Sequence, residues 1–143
     1  STASSTDSNY NAINPNDVGV TNLDNDTAGI TVSTISGDTT EAGGTATFTV
    51  VLTSQPTADV TVNLSSSDLT EGTVPANVVF TSSNWSSTQT VTVTGVDDFT
   101  QDGDIAYTIV TSTASSTDSN YNAINPNDVS VTNLDNDTAG ITV

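Results

Sequence analysis

In run after run of this chain, every second residue is apolar and the residue between is mostly Ser or Thr. "TATFTVVLT" points Ala46, Phe48, Val50 and Leu52 to one side, and "ADVTVNLS" does the same with Val60, Val62 and Leu64. A period of two is that of an extended strand with one face buried. Five further runs keep it: Ile30 and Val32; Val78 and Phe80 within residues 74–81; Val91 and Val93 in "TQTVTVTGV"; Ile105, Tyr107 and Ile109 in "IAYTIVT"; Val129 and Val131 in "NDVSVTNL". Pro75 falls near the start of its run, where a missing N–H is tolerated. Ile35 is out of phase with Ile30 and Val32, which predicts a kink or bulge in the first strand. No stretch keeps a helical period. Seven short strands joined by Gly, Asn, Asp and Ser turns predict an all-β fold, a seven-stranded antiparallel β-sandwich of the immunoglobulin-like type.

The chain also repeats itself. Ser1–Val32 matches Ser112–Val143 at a constant offset of 111 residues, with Gly19 against Ser130 as the one difference. Identity at a fixed spacing marks a tandem repeat, and one period is long enough to bury a core. The expected boundaries put a complete module at residues 28–138. Residues 1–27 are then the last loop and strand of a preceding module, which cannot complete a domain alone, and 139–143 begin the next.

Fifteen Asp and two Glu face no Lys, Arg or His, for a net charge of −17, and Cys is absent. No internal salt bridge or disulfide can form. Nucleic acid and anionic membrane surfaces, which are bound through Lys and Arg, are excluded as partners, and no run is apolar enough to insert in a membrane. So acidic and polar a composition also suits a disordered chain, but the regular alternation argues against that.

Strand parity predicts where the acids gather. If seven strands alternate in direction, the first, third and fifth loops share one end with the C-terminus. That end receives Asp38, Glu41, Asp68, Glu71, Asp97, Asp98, Asp102, Asp104, Asp135 and Asp137, whereas the other receives only Asp59, Asp118 and Asp128. Carboxylates this crowded raise one another's pKa unless a cation joins them. Calcium, which takes six to eight oxygen ligands, fits the donor set. Magnesium prefers a smaller octahedral shell, and zinc and copper lack their His and Cys ligands. A solvated acidic rim is the plainer alternative, disfavoured here because so many acids converge without one basic residue.

Four segments, "EAGGTATFTVVL", "SSSDLTEG", "VTVTGVDDFTQDGDIAYTIV" and the closing "VTNLDND", resemble in order and spacing the successive blocks of Calx-beta domains. These domains occur in sodium–calcium exchangers and as tandem repeats of large bacterial surface proteins. The long "STASSTDSNYNAINPNDV" is more similar to the bacterial versions. The resemblance covers the whole period and implies calcium ligation by Glu41, Asp68, Asp97, Asp98, Asp102, Asp104, Asp135 and Asp137. Gln101, Gly103 and Asn136 stand where exchanger domains are more acidic. Asp24 and Asp26, the leading copies of Asp135 and Asp137, extend the metal set to the junction between modules.

Catalysis has little foothold. Without His, Lys, Arg or Cys there is no conventional base near neutral pH and no activated thiol, so no enzyme activity is expected. The expected function is a calcium-binding structural repeat of an extracellular surface protein, stalk or filament, whose partners are neighbouring copies and whose modules calcium stiffens into a rod. The alternative is an adhesive module that binds a glycan or protein through Trp85 or the long loop carrying Tyr121.

Overall fold

The computed structural model describes residues 1–143. Its ten strands are β1 (Ile30–Val32), β2 (Thr39–Thr40), β3 (Thr45–Leu52), β4 (Val60–Ser66), β5 (Gly72–Thr73), β6 (Asn77–Phe80), β7 (Gln89–Gly95), β8 (Ile105–Thr111), β9 (Ser115–Ser116) and β10 (Val129–Leu134). They form two sheets, one in the order β1-β3-β7-β5 and one in the order β2-β10-β8-β4-β6, with β9 paired to β4. The protein is all-β and resembles a sandwich, because the alternating faces of both sheets meet in one cluster. Phe48, Val50, Val91 and Val93 come from the first sheet, and Val60, Val62, Phe80, Tyr107, Ile109 and Val131 from the second. The alternation in the sequence and the alternation in burial coincide along β3, β4, β6, β7, β8 and β10.

Five of the seven expected strands appear whole. The first is instead divided between the sheets, and the fourth shortens to β6, with the half-strand β5 just ahead of its expected range and in the other sheet. β1 lies antiparallel to β3 from Ile30↔Leu52 to Val32↔Val50. Beyond it, Ser33 N–H bonds Thr49 O and Ser36 N–H bonds Thr47 O, so three steps of one chain oppose two of the other. That extra residue is the bulge, and it turns Ile35 back onto the core. The chain then crosses the sandwich, and β2 joins β10 of the second sheet in parallel, a correction to the all-antiparallel expectation. Likewise β5 pairs with β7 and β6 with β4, with Pro75 in the crossing, where no ladder bond is lost.

Residues 1–27 add no strand to either sheet. Their loop nevertheless folds as its later copy does. Ala3 N–H bonds Ile13 O and Ala12 N–H bonds Ala3 O, just as Ala114 N–H bonds Ile124 O and Ala123 N–H bonds Ala114 O, and Ala12 (φ 65°) and Ala123 (φ 69°) share a left-handed conformation. The strand that follows depends on its partners. Val129 and Val131 are 5% and 4% exposed within β10, whereas the identical Val18 and Val20 are 87% and 88% exposed.

Between the sheets, near the end where β10 finishes, Asn133 is 1% exposed. Its Oδ1 accepts from Thr39 Oγ1 (3.0 Å), and its Nδ2 donates to Val96 O (3.0 Å) and Glu71 Oε2 (3.3 Å). Gly95 packs so tightly against Thr40 O and Asn133 Oδ1 that a Cβ there has no room. Replacing Asn133 takes the donor from Glu71 Oε2 and Val96 O, each costing about 1–3 kcal/mol when unpaired, while Thr39 Oγ1 keeps Tyr107 and Thr132. Asn133→Ala is therefore expected to destabilise the fold by about 2–4 kcal/mol in urea denaturation. Asn22→Ala, at the exposed copy of the same position, is expected to leave the midpoint unchanged.

Candidate metal centre

The half-strands β2 and β5 lie at the same pole, and each delivers a glutamate there. The parallel pairing of β2 with β10 sets Thr40 opposite Leu134, so the next residues, Glu41 and Asp135, emerge side by side. Glu41 N–H bonds Leu134 O at 3.1 Å and fixes that register. In the other half-strand, Gly72 of β5 opposes Gly95 of β7, and Val96 N–H bonds Glu71 O. Glu71 therefore meets the loop that begins after β7. Gly72 is required because a Cβ there would collide with the Tyr107 ring.

Two groups of carboxylates result. Glu41, Asp135 and Asp137 each offer an oxygen within 4.8 Å of the others, and Glu71, Asp98 and Asp102 do the same. Glu41 and Glu71 are only 3% and 5% exposed. In the first group Glu41 Oε2 accepts from Asn136 N–H (3.0 Å), and Asp135 accepts from the N–H groups of Asp137 (2.6 Å) and Gly103 (2.8 Å). Asp137 Oδ2 is buried without any hydrogen-bond donor. An unpartnered carboxylate oxygen beside two other acids is costly in a metal-free site and is what a cation would satisfy. Both groups can hold a metal ion, and their all-oxygen donors suit a hard cation.

The electrostatics carry the same strain. The Asn136 N–H draws the Glu41 pKa down, but burial and the charges of Asp135, Asp98 and Asp137 outweigh it and leave it raised. Burial raises Glu71 against the opposing Asn133 bond, and Asp102, Asp68 and Asp98 add to the rise. Asp137 is raised by burial and then by Asp135, Asp97, Asp98 and Asp102. Asp135 is lowered by the Asp137 and Gly103 N–H groups.

The structure joins Glu41, Asp98, Asp102, Asp135 and Asp137 of the expected ligands in these groups. Asp97 and Asp104 stand beside them, Asp97 accepting from Asn136 Nδ2 and Asp104 from Asp135 N–H. Asp68 lies outside both. Its Oδ1 caps a turn by accepting from the Thr70 hydroxyl and N–H, which hold its pKa down. Glu71 takes the buried position in that loop. The sequence carried a cue, since Asp68-Leu69-Thr70 has the pattern of a side-chain-capped turn while Glu71 directly precedes a strand. Asp24 and Asp26 are not in the cluster but stand at the opposite pole, in a cleft with Ser54, Thr57 and Asp118. Asp118 is committed there to the Thr57 and Asn120 N–H groups.

Of the aromatics considered for ligand stacking, Tyr121 is 1% exposed with its hydroxyl tied to Ser54. Trp85 packs partly buried against the core. No helix is long and apolar enough to cross a membrane. No family model and no curated protein matches the chain.

The pKa directions fix a pH dependence for metal-free protein. A carboxyl raised in the fold adds stability below its ordinary pKa and loses it as pH rises through the raised value. Glu41 and Glu71 therefore weaken the fold as pH rises above their ordinary 4.5, and Asp137 as it rises above its ordinary 3.8. The lowered Asp68, Asp118 and Asp135 contribute above their ordinary 3.8 and lose that contribution as pH falls through their lower folded values. In chelator, the urea midpoint is expected to rise as pH is lowered from about 7 to about 5 and to fall in stronger acid. Glu71→Gln should flatten the first limb, and a midpoint higher at neutral pH than at 5 would contradict the assignment.

Proposed function

We propose that this chain is a calcium-binding structural repeat of the Calx-beta type, a seven-stranded immunoglobulin-like module set head to tail in an extracellular surface protein, stalk or filament. The observation that carries the reading is the group Glu41, Asp135 and Asp137, which includes a buried glutamate and a buried carboxylate oxygen with no donor, in a chain without one cationic side chain. Millimolar calcium outside cells supplies the missing charge. Glu71, Asp98 and Asp102 form a second group that can hold a further ion, and Asp97 and Asp104 bond to Asn136 and Asp135 beside the first. The match of Ser1–Val32 with Ser112–Val143 at an offset of 111 supports the tandem arrangement, since an array built for reach needs copies rather than distinct specificities. The role is non-enzymatic. The buried Tyr121 and the half-buried Trp85 give little support to a glycan-stacking role.

An ion that binds only the folded state stabilises it by mass action, by about 2.7 kcal/mol at a free concentration 100 times the dissociation constant. For a domain of this size that is a rise of about 10 °C in Tm. Calorimetry in calcium against excess chelator is the test. Glu41→Gln plus Asp137→Asn is expected to abolish most of the rise, and superimposable traces for the unaltered protein would refute calcium binding.

A further inference from the structure

The offset of 111 residues makes Asp24–Ala28 and Asp135–Ala139 the same linker seen from its two ends. At Asp135–Ala139 it leaves a module, and at Asp24–Ala28 it enters one. Its local form agrees in both places, because Asp26 N–H bonds Asp24 Oδ1 as Asp137 N–H bonds Asp135 Oδ1. The outside contacts differ, and they are complementary. Where the linker leaves, Ala139 N–H donates to Gln101 Oε1 at 3.0 Å. Where it enters, Thr53 Oγ1 donates to Thr27 O at 2.7 Å. The carbonyl of Thr27 and the N–H of Ala28 belong to one peptide unit, whose copy is Thr138–Ala139. Each end thus uses the group that the other leaves free.

We propose that in the tandem array this single peptide unit is clamped from both sides, its N–H by Gln101 of the preceding module and its carbonyl by Thr53 of the following one. The partner is a second copy of the module, and the proposal rests on the array reading above. The peptide is trans, so its carbonyl and N–H point to opposite sides and the two side chains grip it without competing. The flanking linker is held as well. On the outgoing side Asp135 accepts from Gly103 N–H and Asn136 N–H donates to Glu41. On the incoming side Thr53 N–H bonds Gly29 O, and Ala28 packs on the core. A linker bonded to one module at Asp135, Asn136 and Ala139, and at Thr138 to the next, has few torsions left with which to swing. Gln101 and Thr53 are exposed and contribute nothing to the core.

The test uses the chain extended by one period, with Ser33–Val143 repeated after Val143, in saturating calcium. Residual dipolar couplings report whether the two modules share one alignment tensor, and amide exchange reports the linker Ala139. The unaltered protein is expected to show a common tensor. Gln101→Ala in the first module is expected to speed exchange at Ala139 about fivefold. Gln101→Ala with Thr53→Val in the second module is expected to give two independent tensors without changing the calcium-induced rise in Tm. Independent tensors in the unaltered protein, or a common tensor that survives the double substitution, would overturn the clamp. Because the calcium-dependent Tm is read on the same samples, loss of that rise with a common tensor retained would count against the ion alone.

Discussion

Two glutamates are buried at one pole of a protein that has no positive side chain to offer them. Burying an ionised carboxylate is unfavourable unless it is paired or hydrogen-bonded, and each additional acid nearby makes it more so. The fold provides a few N–H donors, from Asn136, Asp137, Gly103 and Asn133, and then runs out, leaving Asp137 Oδ2 with none. The acidic pole is therefore the part of the molecule whose stability depends most on the medium. A hard cation or a proton can relieve it, and the raised pKa values of Glu41, Glu71 and Asp137 show the proton competing for that role.

That pole is assembled by the two places where the chain changes sheets. Had the first strand stayed beside β3, its end would not reach Asp135. By crossing and joining β10 in parallel, it brings two strand ends to the same point, which antiparallel neighbours cannot do. The fourth strand works in a similar way, since β5, and not β6, pairs with β7 and sets Glu71 against the loop of Asp98 and Asp102. The hydrogen bonds of Asn133 to Thr39, Val96 and Glu71 hold both crossings at once, linking β2, the end of β7 and the approach to β5. Sheet switching thus accounts for both the edge structure and the two carboxylate groups.

The legible part of this architecture was whatever depended on period and parity. Alternation identified the buried faces from Ala46 to Leu52 and from Ile105 to Ile109, and direction parity collected the acids at one end before any contact was known. The choice of sheet was not legible, because a half-strand such as Thr39–Thr40 is too short to display a period, and its partner is settled by tertiary contacts. Ile35 and Pro75 marked both irregular points without saying where the chain went next. The resemblance points to Asp68, whereas in the structure Asp68 caps a turn and Glu71 is the buried acid of that loop. That distinction rests on whether neighbouring donors have already taken the side chain.

The duplicated segment separates local from tertiary causes within one molecule. Its turns at Asp7 and Asp24 form in both copies, because side-chain oxygens reach backbone N–H groups two residues on whatever lies nearby. Its strand forms only where β8 waits for it. The single difference between the copies follows the same division. Ser130 is exposed on β10 and its side chain bonds to nothing, while a Cβ on Gly19 would meet nothing within 4 Å. Every position that fills the core, faces the acidic groups or enters the linker is identical. A segment that fills the core and supplies the acidic groups varies here where it does neither, at Ser130.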